Sequence, residues 1–189
     1  MTAIELIRRL FEHMEWADAL VWRAVLLNPV AASDSVIRER FLHIHVVQHG
    51  FLRLWRGQPL PKLPTVSDFP DSKQMASWGR EYHRTASTFL AELPESVSDT
   101  RLEIPWADQL AVRMGRPAAP VTVAQTMLQV TSHTSHHRGQ INLRVRELGG
   151  EPPLTDFIAW LWLGQPAAVW DLLSAGASKV QVEPTRVGS

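Results

Sequence analysis

The chain has 189 residues, 45% of them apolar, the size and composition of one globular domain with a substantial core. Its 19 basic and 19 acidic residues cancel and are spread along the chain, which excludes the basic footprint of a nucleic-acid-binding protein. Cysteine is absent, so disulfides, iron–sulfur clusters, thiolate ligands and Cys nucleophiles are excluded, and any metal must be held by His and oxygen atoms.

Residues 2 to 27 read as a first helix, with Thr2 as N-cap, Ile4, Ile7, Phe11, Met14, Asp18, Val21 and Val25 at helical spacing, and Asn28-Pro29 as the stop. Asp18 is the odd member of this stripe. Either it sits at the edge of a wide face, or it is a buried carboxylate that requires a cation, a metal or hydrogen-bond donors. The first residues, with Glu5, Glu12, Glu15 and Asp18 among them, do not resemble a signal peptide, and no apolar run reaches the ~18 residues of a membrane span. A cytoplasmic protein with no membrane partner is expected.

Ser33 or Asp34 caps a second helix that runs to Trp55, with Ile37, Phe41, Ile44, Val47, Phe51 and Leu54 as its apolar face. His43 borders that face, whereas His45 and His49, whose spacing of four also allows a second metal site, share a side with Arg38 and Arg56 and are expected in solvent. A proline-rich loop, 58–70, precedes a third helix capped by Asp71 or Ser72. Its stripe is Met75, Trp78, Tyr82, Ala86, Phe89 and Leu93; His83 lies beside Arg80, Glu81 and Arg84 and reads as exposed. Between 95 and 120, Leu102, Ile104 and Trp106 alternate with polar residues, as do Leu110, Val112 and Met114. That alternation predicts a short hairpin between the third and fourth helices.

The fourth helix, about 121–148, carries the sharpest chemical signal. His133 and His137 lie four residues apart, so they share one face within a turn and can reach a single ion. His137 falls on the stripe Val123, Met127, Val130, Thr134, Ile141 and Val145, and His133 borders it, so both rings are expected to face the core. Two neutral imidazoles in a dry site suit a metal. Gly149-Gly150 ends this helix; Thr155 or Asp156 caps a short one, 157–163, and 166–173 reads as a further turn.

These elements predict an all-α, up-down four-helix bundle with a hairpin-like excursion between helices 3 and 4 and a short C-terminal helix. Residues 1–174 form the domain and 175–189 a loosely ordered tail. In such a bundle His43, His133 and His137 meet as three imidazoles with an open fourth position, the ligand pattern of catalytic zinc, equally suited to nickel or iron.

Ser132-His133-Thr-Ser-His136-His137-Arg138-Gly139-Gln140-Ile141 resembles the His-x-x-x-His-Arg-Gly-Gln signature of the DinB, or YfiT-like, family. Trp16-Ala17-Asp18, Leu42-His43-Ile44 and Phe51-Leu52 are similar to its other conserved pieces, and the likeness spans about residues 1–173. The resemblance implies a divalent metal (zinc or nickel first, iron or manganese as alternatives) on His43, His133 and His137. It implies a small-molecule thiol cosubstrate and an electrophilic substrate, as in bacillithiol S-transferases and the mycothiol-dependent maleylpyruvate isomerase. Two departures stand out: the acidic residue often found five positions after the second-helix His is Gln48, and the usual Asn after Trp-Ala is Asp18.

Three functions compete on this basis: a thiol-dependent S-transferase or isomerase, a metal-dependent hydrolase, and a non-catalytic stress-related metal-binding protein. In the enzymatic readings Asp18 or a water moves a proton, and Arg138 or Arg144 binds a substrate carboxylate. The Trp-rich terminal segment suggests a homodimer.

Overall fold

The structure is a computed structural model describing residues 2–170. It is mostly helical with one small antiparallel sheet. The helices are α1 (Ala3–Leu27), α2 (Pro29–Ser33), α3 (Ser35–Trp55), α4 (Ser72–Glu92), α5 (Ala107–Met114), α6 (Val123–Glu147) and α7 (Phe157–Trp162). No described helix is long and apolar enough to cross a membrane. The expected tail, 175–189, and the end of the 166–173 turn lie outside the described residues.

Local chemistry explains the helix ends. Thr2 and Glu5 form a reciprocal capping box at the start of α1, and Thr122 and Gln125 do the same for α6. Asn28 ends α1 and its side chain caps α2, a single turn starting at Pro29 that the sequence pattern did not reveal. Asp34, rather than Ser33, caps α3 through Oδ1; its Oδ2 takes Arg144 from the last turn of α6 at 2.8 Å, which ties the two ends together.

The excursion corrects the hairpin expectation. Its strands shrink to β1 (Arg101–Leu102) and β2 (Val121–Thr122), paired antiparallel, and the run containing Leu110, Val112 and Met114 is the helix α5, ended by Gly115 at φ 69°. Alternation misled because those three residues have no core to alternate against: all are exposed, and the good helix formers around them decide the conformation. Leu102, Ile104 and Trp106 do pack on the core.

The four long helices pack α1 on α4 and α6, and α3 on α4 and α6. Their directions do not alternate. Trp55 of α3 donates to Thr126 of α6, and Arg8 of α1 donates to the Leu90 carbonyl of α4, so each of those pairs is antiparallel. Along α3 and α4, however, His49 meets Trp78 and Trp55 meets Phe89, which makes the two parallel. The strict up-down order expected from the sequence therefore fails, because the 56–71 connection is long enough to return the chain to the end at which α3 began.

Most buried apolar residues gather in two large clusters stacked along the helices, with a small third one of Trp16, Ala17 and Trp160 beside them. One large cluster contains Ile7, Phe11, Leu52, Leu90 and Met127; the other Trp22, Ile37, Phe41, Met75 and Ile141. Between them every long helix contributes polar side chains: Asp18 from α1, His45 and Gln48 from α3, His83 from α4, Thr134 and Arg138 from α6, all buried. A polar layer thus divides the core at mid-height.

Candidate metal centre and its buried support

The polar layer is a connected network. Trp22 Nε1, which can only donate, gives its hydrogen to His45 Nε2 at 3.0 Å. His45 must then carry its proton on Nδ1, which donates to Gln48 Oε1 at 2.8 Å. That orients the Gln48 amide so that Nε2 donates to Asp18 Oδ2 (3.1 Å) and Thr134 Oγ1 (3.2 Å). Asp18 Oδ2 also accepts from His83 Nε2 at 3.0 Å, and Oδ1 from Arg138 Nη1 at 2.9 Å. Asp18, His83 and Arg138 are 2%, 2% and 3% exposed. Burial opposes ionisation of Asp18, but the His83 hydrogen bond and the Arg138 charge outweigh it and hold the carboxyl well below its usual range. Burial holds His45 down at about 4, so it is neutral, as its hydrogen bonds require.

Two expectations are corrected here. His45 and His83 are buried rather than solvent-facing, and His49 is half-buried with its ring stacked on Trp78 at 4.4 Å. α3 buries a second side against α4, which a wheel built on one apolar stripe does not show. Gly79 of α4 makes room for the His45 ring; a Cβ there would overlap the imidazole. Asp18 faces inward as the stripe suggested, and its partners are donors and a cation.

The three histidines singled out from the sequence come together. His43 of α3 and His133 and His137 of α6 have ring centroids 4.4 to 4.8 Å apart, and one nitrogen from each lies within 4.8 Å of the others. They do not project into the core. Thr134 and Arg138 occupy the buried side of α6, whereas His133 and His137 are half-buried at its edge and His43 is exposed. The triad therefore opens to solvent in the seam between α3 and α6.

The triad's protonation chemistry suits a cation. His43 Nε2 and His133 Nε2 are 3.0 Å apart, a spacing at which one nitrogen must hold a proton for the other, and a metal ion can replace that proton. Burial first, then the charges of neighbouring histidines, pulls His133 down to about 4. Burial first, then His137 and Arg40, lowers His43. Both are thus neutral lone-pair donors at pH 7. On His137, the Gln140 amide decides the tautomer: its nitrogen donates to His136 Nε2 at 3.1 Å, so its oxygen faces His137 Nδ1 at 2.9 Å. His137 carries its proton on Nδ1 and keeps Nε2 free. His133 Nδ1 is buried without a hydrogen-bond partner among the described residues.

These three histidines could hold a metal ion. The DinB family model matches residues 27–168. The chain belongs to the DinB family. No curated protein matches it. Within the DinB motif the structure separates two roles that adjacency had merged: His137 faces the seam, while Arg138 turns inward to Asp18. Asp18 and Arg138, both considered for catalysis, meet each other in the core. Gln140, three residues after His137, was given no role by the sequence reading beyond its place in the motif, and Arg40, three before His43, was not singled out. Their spacing, one turn from a histidine already singled out, is the signal that could have found them.

Proposed function

We propose that this DinB-family chain is a metalloenzyme in which His43, His133 and His137 hold one divalent cation, zinc or nickel first, for a thiol-dependent S-transfer or isomerisation. The observation that carries the reading is the convergence of three imidazole nitrogens, two from residues held neutral, at an open seam. A divalent cation on three neutral ligands supplies Lewis acidity, lowering the pKa of a thiol or water that reaches it. In an S-transfer the thiol proton is lost to solvent, a C–S bond forms and the leaving group departs with its electron pair. Gln140 orients His137, and the Asp18–Arg138 pair holds α6, and with it both of its histidines, against α1. On this reading Asp18 and Arg138 act as positioning residues, and proton transfer falls to water.

The exposure of His43 also favours a second reading, metal-dependent hydrolysis, because water reaches the triad freely. We further assign residues 1–174 to one four-helix-bundle domain, cytoplasmic, and to a homodimer through the terminal segment, supported by Trp162 and Leu163, which are 80% and 65% exposed.

Metal analysis of the purified chain and of His43→Ala, His133→Ala and His137→Ala tests the site. Near-stoichiometric metal is expected in the parent and a collapse in each variant, with helix content retained. Metal content unchanged in all three would remove the site. A thiol panel with an electrophilic test substrate then separates the activities: turnover without thiol selects hydrolysis, and bound metal without any turnover selects a binding protein.

A further inference from the structure

Of three arginines beside the seam, two are already engaged. Arg138 is buried on Asp18, and Arg144 is paired with Asp34 at 2.8 Å and Glu147 at 3.0 Å. Arg40 is exposed and has no hydrogen bond or ion pair among the described residues.

Its position is specific. Val36, Arg40 and His43 follow at steps of four and three on α3, and His137, Gln140 and Arg144 at steps of three and four on α6, so each set forms one stripe. The helices are antiparallel, with the triad at one end of the shared groove and the Arg144–Asp34 pair at the other. Between these ends lies a cleft of about 300 Å³ whose lining includes Val36, Arg40, Gln140, Leu143 and Arg144, together with Glu147, whose carboxylate is taken up by Arg144 at 3.0 Å. Gln140 is also the residue bonded to His137, so the cleft and the triad share a wall.

We propose that this cleft is a carboxylate-binding subsite, in which Arg40 takes the anionic end of a small substrate and Val36 and Leu143 cover its short carbon chain. The reactive end would lie at the triad, and only that part rests on the metal reading. Arg40 and His43 are three residues apart, ~4.5 Å of helix rise, so a molecule of a few carbons spans the two. A single unpaired guanidinium flanked by aliphatic side chains suits a monocarboxylate; a phosphate group would call on more donors than the cleft offers.

The test uses butyrate against butyramide, which differ in charge and little in shape, titrated into the metal-free chain and followed by the Arg40 Nε–H and Leu143 methyl NMR signals. Butyrate is expected to shift both and to bind at least about fivefold more tightly than the amide, a modest charge-assisted gain for an exposed site. Arg40→Gln should erase that preference. Equal binding of acid and amide, no binding of either, or a preference that survives Arg40→Gln overturns the subsite. Cobalt(II) binding by the same samples keeps the two readings apart. An Arg40-dependent preference in a chain that takes up no cobalt upholds the subsite and removes the metal, and cobalt uptake without the preference does the reverse.

Discussion

His43 and His45 are two residues apart on α3 and live in opposite environments. His45 is wholly buried, with Trp22 on one nitrogen and Gln48 on the other, and its tautomer is dictated by those partners. His43 is exposed, and among the described residues its Nε2 has only another imidazole nitrogen as hydrogen-bond partner. The same contrast divides Arg138 from its neighbour His137. One cluster has its hydrogen bonds completed inside the protein and therefore acts on stability; the other keeps unshared electron pairs at the surface and is available for an external ion. Polar residues identify function only when their valences are counted.

The largest effect should come from the saturated cluster. Asp18→Asn leaves Arg138 as a buried charge without its counterion, which should cost about 3–5 kcal/mol in urea unfolding. Gln48 is in direct contact with Asp18: the carboxylate stands on α1 and the amide on α3, joined by one hydrogen bond. Adding Gln48→Glu to Asp18→Asn returns a carboxylate to the layer and should recover at least half of the loss. A double variant no more stable than Asp18→Asn alone would show that the layer tolerates only one arrangement.

A smaller effect is expected from pH. Burial first, opposed by its hydrogen bond to the Trp78 carbonyl, holds His49 down at about 4, below the 6.5 of an unfolded histidine. The unfolded chain therefore binds the extra proton first, and stability is lost as pH falls from 6.5 towards 4, by about 2–3 kcal/mol for this ring. His49→Gln keeps a donor for Trp78 but does not titrate, so its urea midpoint should fall less steeply across that window. An unchanged slope would mean that His49 takes up a proton as readily in the folded chain as in the unfolded one.

The smallest stability effect and a clear binding effect should come together at Gln140. Gln140→Leu removes the acceptor that keeps the His137 proton on Nδ1, and should weaken cobalt or zinc binding about 10- to 100-fold while moving the urea midpoint little. Loss of stability comparable to that of Asp18→Asn would place Gln140 with the structural cluster.

Much of this was legible in the sequence. The long helices, most of their caps, the one-turn spacing of His133 and His137 and the inward stripe position of Asp18 follow from periodicity and spacing, because each is a property of one helix at a time. What was not legible depends on pairs of helices. His45 and His83 read as exposed because their burial requires knowing that α3 lies along α4, and Gly79 has meaning only once a ring is seen resting on it. The direction of α4 relative to α3 is invisible in a loop rich in proline, which marks irregular chain without saying where it leads. For α5, alternation was a weak guide because the segment has little contact with the core.

The Asp18–Arg138 bond joins residues 120 positions apart, and this span constrains how the chain can assemble. α1, α3 and α4 all precede α6, so any compact intermediate built from the first three must either leave Asp18 in water or bury it without its guanidinium. The mid-height layer therefore resists closing around three helices, and docking of α6 supplies both the missing apolar face and the missing charge in one step. The cost of closing so long a stretch rises only slowly with its length, but it must be met before the contacts that reward it are made. Cooperativity in this fold has a chemical origin: the core cannot become dry until the helix that carries His133 and His137 is in place.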